Sequence, residues 1–221
     1  MLWDLPTYLL PSPWQVLITL RDNLSLITSH TIPTLIEMLL GFLFGILSGC
    51  IAGFMLAFFR PLTLWFLPLL IISQAIPIFA IAPLLVIWLG YGLASKIATT
   101  LLMTFFPITS ALYDGLHHTH PGWLDLANTM NGKKWRIFCY IQIPAALPSL
   151  ASGIRIAAVA APIGAIMGEW VGSSQGLGYL MLNANARLQI DMMFATLLVI
   201  IILALALYFC VDKLLRMLVT W

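Results

Sequence analysis

The sequence predicts an all-α protein, a polytopic membrane helical bundle of about five transmembrane helices, and three observations carry that expectation. Of its 221 residues 62% are hydrophobic and only 8% charged, where a soluble domain carries roughly a quarter charged residues. The mean hydropathy is +1.02. The few charges also punctuate apolar runs long enough to cross a hydrocarbon core of about 30 Å, which takes roughly 20 residues. Ten Lys and Arg against eight Asp and Glu give no basic surface for a nucleic acid.

Residues 1–33 read as an N-terminal extramembrane or interfacial segment. Pro6, Pro11 and Pro13 interrupt it, Arg21, Asp22, Asn23 and His30 make it polar, and Trp3, Tyr8 and Trp14 suit an interface. No basic region precedes an apolar run, so no secretory signal is expected. The membrane domain is then 34–217. Its first span lies between Glu37 and Arg60, with Gly41, Gly45, Gly49 and Gly53 at every fourth position. That spacing puts four glycines on one face, where another helix, of this chain or of a second one, can approach closely.

From Pro61 to Ser95 the chain is uncharged, and Pro68, Pro77 and Pro83 favour one crossing by a broken helix. Irregular backbone at membrane depth is tolerated where it is buried or lines a water-filled cavity. Ser73, Gln74 and Pro77 are thus candidates for a translocation path, and a kinked packing helix explains them equally well. Ile97–Tyr113 is a third span, Ala151–Gly168 a fourth with small residues on most faces, and Met192–Val211 a fifth. Glu169 ends the fourth span and is another candidate for the path. A polar loop follows from Gly172 to Asp191.

The segment 114–147 gathers Asp125, Lys133, Lys134 and Arg136, and closes on Pro144 and Pro148. Placing it in the cytoplasm puts Arg60, Lys213 and Arg216 inside with it and Arg21, Lys96 and Arg187 outside, in keeping with the positive-inside rule. Pro121 suits a first helical turn, Asp125 favours the positive end of that helix, and Gly132 can close it in a left-handed cap. A second short helix from Lys134 would set Trp135, Phe138 and Ile141 or Gln142 on one face beside the bases. Such a helix docks into a groove on another protein or lies on the inner leaflet.

Several chemistries find no support. Gly132-Lys133-Lys134 lacks the other residues of a phosphate-binding loop. Cys50, Cys139 and Cys210 are far apart, and His117, His118 and His120 have no acidic or thiol residue to complete a metal site. Glu37, Asp114, Glu169 and Asp191 all fall at span ends, which speaks against an ion-coupled carrier.

Asp125-Leu126-Ala127, Asn131-Gly132, Trp135, Phe138 and Ile143-Pro144-Ala145-Ala146-Leu147-Pro148 resemble the EAA loop of bacterial ABC importer permeases. Asp125 and Leu126 stand where that loop most often has Glu and Ala, and Asn131 where it has Gly. Ile76-Pro77, Ala82-Pro83-Leu84, Trp88-Leu89-Gly90 and Gly176-Leu177-Gly178 resemble the nitrate, sulfonate, taurine and hydroxymethylpyrimidine branch, whose members usually have a further N-terminal span. Gly168-Glu169-Trp170-Val171-Gly172 and Asn185–Asp191 are most similar to permeases for hydroxymethylpyrimidine, a thiamine precursor.

The resemblance implies the type I ABC importer permease fold, in a multi-pass protein of the bacterial inner membrane that is a transport subunit and not an enzyme. It implies ATPase-coupling roles for Asp125, Ala127, Asn131, Gly132, Trp135, Phe138, Pro144 and Pro148, with Trp135 and Phe138 filling a groove on the ATPase. It implies as partners ATP-binding cassette ATPase subunits, which hold ATP and Mg, a second permease copy in a homodimer, an extracytoplasmic substrate-binding protein and membrane lipid. This chain would bind no cofactor and no metal. Hydroxymethylpyrimidine is the expected substrate; sulfonate, taurine or nitrate-like anions are the alternative, and ion-coupled transport a remote one.

Overall fold

The computed structural model describes residues 10–218, so Trp3 and Tyr8 lie outside the described residues. Every regular element among these is helical: α1 (Pro13–Asp22), α2 (Leu24–Phe58), α3 (Arg60–Ala75), α4 (Ile78–Leu89), α5 (Leu93–His117), α6 (Pro121–Thr129), α7 (Lys134–Ile137), α8 (Ile143–Gly172), α9 (Leu177–Ala186) and α10 (Ile190–Leu218). A π-helical turn, Phe138–Gln142, joins α7 to α8 without a break. Four helices are long and apolar enough to cross a membrane: Leu24–Phe58, Leu93–His117, Lys134–Gly172 and Ile190–Leu218. The α3–α4 pair, bent by 103° at Ile76-Pro77, passes the same test together and makes a fifth if it is one broken span.

Two boundaries differ from the sequence reading. Helix α2 begins at Leu24 and takes in ten residues that the sequence sets apart as polar, with Pro33 inside it. The hydroxyls of Thr28, Ser29 and Thr31 donate to the carbonyls of Leu24, Leu26 and Ile27. A polar stretch whose donors are spent on its own backbone is less polar to its surroundings than its composition indicates. The second difference is that Lys134 starts no separate short helix. It begins a 39-residue helix, Lys134–Gly172, about 58 Å long at the α-helical rise.

The core forms where α2, α5, α8 and α10 meet, around Met38, Phe42, Ile108, Leu207 and Val211. Helix α8 reaches it because Ala157, Ala158, Ala161 and Ala165, all 0% exposed, keep its inner face flat. The glycine face of α2 lies against α5. A β-carbon at Gly41 would stand 2.3 Å from Thr100 Cβ, at Gly45 1.9 Å from Thr104 Oγ1, at Gly49 3.0 Å from Ile108 Cβ, and at Gly53 2.9 Å from Leu112 Cδ2. Helix α1, capped by the Ser12 hydroxyl, buries Val16 in a second cluster with Leu177, Leu180 and Met192, and Thr19 donates to Asp191 across 2.9 Å.

Candidate functional site

Two groups of polar residues stand at opposite ends of the Lys134–Gly172 helix. The one at its N-terminal end is built on α6. His120 caps that helix, its Nδ1 accepting from the Gly122 amide at 3.1 Å. His117 and His118 likewise bond through Nδ1 to the carbonyls of Tyr113 and Asp114. At the other end of α6, Asn131 takes the left-handed conformation with φ 59°. Its amide donates to Asn128 O, and that of Gly132 to Ala127 O, each at 2.9 Å. This pair of bonds is a Schellman closure. The sequence gives the left-handed role to Gly132; the structure gives it to Asn131, which tolerates that region because its short amide is compatible with it. Gly132 is required for a different reason, since a β-carbon there would sit 2.8 Å from the Ala127 carbonyl oxygen.

Past this turn Trp135 and Phe138 part company. Trp135 is 67% exposed, whereas Phe138 is 8% exposed and packs with Leu112, Leu116 and Ala146. Its ring centroid lies 4.2 Å from that of Phe58 and 6.2 Å from that of Phe54. Phe138 therefore anchors the segment to the bundle, and only Trp135 stays on an outward face. The expected shared docking face is corrected accordingly. Asp125 and Pro148 are exposed, Ala127 and Pro144 half-buried. Pro144 is the second residue after the π turn. In a regular α-helix its ring would collide with the carbonyl four residues back, and the wider turn, in which the Ile143 amide reaches back to Phe138 O, accommodates it. Helix α6 stands off α8 over an apolar groove of about 520 Å³ lined by Trp123, Leu126, Met130, Tyr140 and Ile141 among others.

The other end of the long helix is dominated by buried charge that sequence reasoning did not bring together. Glu37 and Glu169 are each 1% exposed and Lys96 7%. Lys96 Nζ stands 2.8 Å from Glu37 Oε1. Glu169 accepts from the Thr34 hydroxyl and from the Gly178 amide. Thr34 Oγ1 in turn accepts from the Leu177 amide at 2.8 Å, and His30 Nδ1 from that of Gly176 at 3.0 Å. The first amides of α9 thus meet side chains from α2 and α8, and a carboxylate lies at the positive end of the α9 dipole. Gly176 has φ +114°, and a β-carbon on it would lie 2.2 Å from the Glu169 carboxyl carbon.

These contacts reassign several residues. Glu169, grouped by sequence with Gln74 and Pro77, is spent on holding α9. Glu37 does not sit at a helix end: it lies 13 residues into α2, roughly 20 Å along the axis. Lys96 lies within α5 and not in an outer loop. Gln74 and Pro77 are exposed at the α3–α4 break. The signal that could have found the cluster is the Gly168-Glu169 and Gly176-Leu177-Gly178 spacing itself, since a buried acid followed by small residues is a cap waiting for a helix. Arg155 bonds Asp212 at 2.7 Å and ties α8 to α10, while Arg216 bonds the same carboxylate at 2.8 Å within α10.

Residues 41–221 match the family described as binding-protein-dependent transport system inner membrane component. A protein of Haemophilus influenzae described as a probable ABC transporter permease is 51% identical over 97% of this chain and 88% of its own length. A formylaminopyrimidine transport permease of Halalkalibacterium halodurans is 36% identical over 97% of this chain and 86% of its own. Among solved structures, a chain of an inward-facing methionine ABC transporter has the same fold, with TM-score 0.73 at 21% identity over 88% of this chain and 97% of that one.

Proposed function

The chain belongs to the family of binding-protein-dependent transport inner membrane components, and from that premise we propose that two copies of it form the membrane pathway of an ATP-driven importer in the bacterial inner membrane. The solute is hydroxymethylpyrimidine or a close relative, handed over by an extracytoplasmic binding protein. The 36% identity to a formylaminopyrimidine permease and 37% to a riboflavin permease, against 27% and 30% to aliphatic sulfonate permeases, supports a heteroaromatic over an anionic substrate.

The observation that carries the coupling role is the inner end of the Lys134–Gly172 helix. There α6, its Asn131 turn and Trp135 project from the bundle, while Phe138 fastens the same segment to α2 and α5. An ATPase subunit gripping Asp125 and Trp135 acts on a continuous helix whose far end holds Glu169, so closure of two ATPases on ATP displaces both ends of each permease together. ATP and Mg belong to those subunits. Alternating exposure of a central path then needs no ion coupling.

Growth tests this reading. A strain that cannot make the pyrimidine half of thiamine should, on deletion of this chain, stop growing on low hydroxymethylpyrimidine and recover on thiamine. Unchanged growth combined with lost use of taurine or alkanesulfonates as sulfur source would reassign the substrate to the anions.

A further inference from the structure

At the Glu169 end of the bundle a pocket of about 630 Å³ opens between the α4–α5 turn, the end of α8, the 173–176 loop and α9. Its size lies in the range of small-molecule sites. Tyr91, Trp170 and Tyr179 supply aromatic surface, and Gln175, Asn183 and Lys96 supply polar atoms.

The chemistry of the pocket follows from where its charge is spent. Lys96 is its only lysine, arginine or acidic lining residue among the described residues, and its ammonium is bonded to Glu37 with 9% of the side chain exposed. An anion entering here would meet no free cation. Drawing Lys96 toward that anion would leave Glu37 buried and unpaired, at heavy cost. The neutral groups are differently placed. Asn183 donates from Nδ2 to the Tyr179 carbonyl at 3.2 Å, which leaves its Oδ1 as an acceptor. Gln175 is exposed with a side-chain donor and acceptor. Tyr179 is held by stacking on His30, ring centroids 6.0 Å apart, and Trp170 is 38% exposed.

Aromatic walls, neutral hydrogen-bonding groups and a neutralised lysine together suit one kind of solute. We infer that this pocket is an outer subsite for an uncharged, planar heteroaromatic solute, which stacks on Trp170 and hydrogen-bonds through Gln175 and Asn183 on its way from the binding protein to the membrane path. The inference rests on the importer reading above and adds to it the receiving residues and the charge of the solute.

The test uses the purified permease–ATPase complex in lipid nanodiscs without its binding protein, and measures retention of radiolabelled 4-amino-5-hydroxymethyl-2-methylpyrimidine. Trp170→Ala should weaken retention about ten-fold, the order expected for loss of an aromatic stacking partner, and Trp170→Phe should largely restore it. Gln175→Ala, at an exposed position, should weaken it several-fold with unchanged thermal unfolding, and methanesulfonate should not compete. Wild-type retention in both alanine variants, or competition by methanesulfonate, would overturn the subsite. If the complete wild-type importer takes up no pyrimidine, it is the importer reading that fails; if it does and the variants behave as wild type, only the subsite fails.

Discussion

The two ends of the Lys134–Gly172 helix handle charge in opposite ways. At the end that carries α6, the inner end in the proposed orientation, Asp125, Lys133, Lys134 and Arg136 are all exposed, so their electrostatic energy is available to another molecule. At the other end, the outer one in the proposed orientation, Glu37, Lys96 and Glu169 are withdrawn from solvent and bonded to side chains or amides from α2, α5 and α9. The first arrangement contributes little to the fold of a single chain, since exposed charges are worth at most about 1 kcal/mol per pair. The second fixes geometry, because each buried charge must keep its partner. The same helix is thus left free at one end and fastened at the other.

Substitutions can break that contrast, beginning with the largest effect. Lys96→Met leaves Glu37 buried without its cation and should cost about 3–5 kcal/mol, read as loss of folded protein in detergent; adding Glu37→Gln should recover most of it. If the single variant is as stable as wild type, the outer end is not held by charge. Phe138→Ala should cost about 3 kcal/mol through a cavity between α2, α5 and the long helix, and so lower the thermal midpoint of the permease alone. An effect confined to ATPase binding would return Phe138 to the docking face.

Smaller effects sharpen the picture. Gly45→Ala forces a β-carbon onto Thr104 and should cost about 1–3 kcal/mol as overpacking, with reduced cross-linking between cysteines introduced on α2 and α5 as the structural readout. Trp135→Ala, at an exposed position, should shift the stability of the permease by no more than about 0.5 kcal/mol. It should nevertheless reduce co-purification of the ATPase about ten-fold, as loss of an aromatic interface anchor does. Equal loss of stability and binding would mean that the inner end, too, is part of the fold.

Much of the architecture was legible because lipid imposes a simple code. The uncharged run after Glu37, the Ala75-Ile76-Pro77 break and the glycines at every fourth place each correspond to a feature of the helices: the body of α2, the 103° bend and the face against α5. What stayed hidden depends on contacts that no local pattern encodes. Lys96 and Glu37 are 59 positions apart, and each alone reads as the end of a span. Thr34 and Glu169 meet across 135, so the Gly168-Glu169 and Gly176-Leu177-Gly178 spacing hints at a cap for α9 but not at the α2 residue that shares it. The start of α2 was missed for a different reason: its hydroxyls are satisfied inside the helix, and a hydropathy reading counts them as if they faced water. Phe138 lies only three residues from Trp135, and its packing with Leu112, Leu116 and Ala146 is what turns it inward.

The π turn bears on the phase of the long helix. Each residue of an α-helix advances it by about 100° and 1.5 Å, and the Phe138–Gln142 turn has the wider winding of a π-helix. Deleting one residue within it would restore ordinary α-helix at nearly the same azimuth, because the wider turn holds the one extra residue, whereas deleting one from the regular helix beyond it would swing Trp135 and the Asn131 turn by about 100° relative to Glu169. Inserting seven residues, close to two full turns, would keep the azimuth and merely lengthen the helix by about 10 Å. The permease should therefore tolerate a change of length in this helix better than a change of angle.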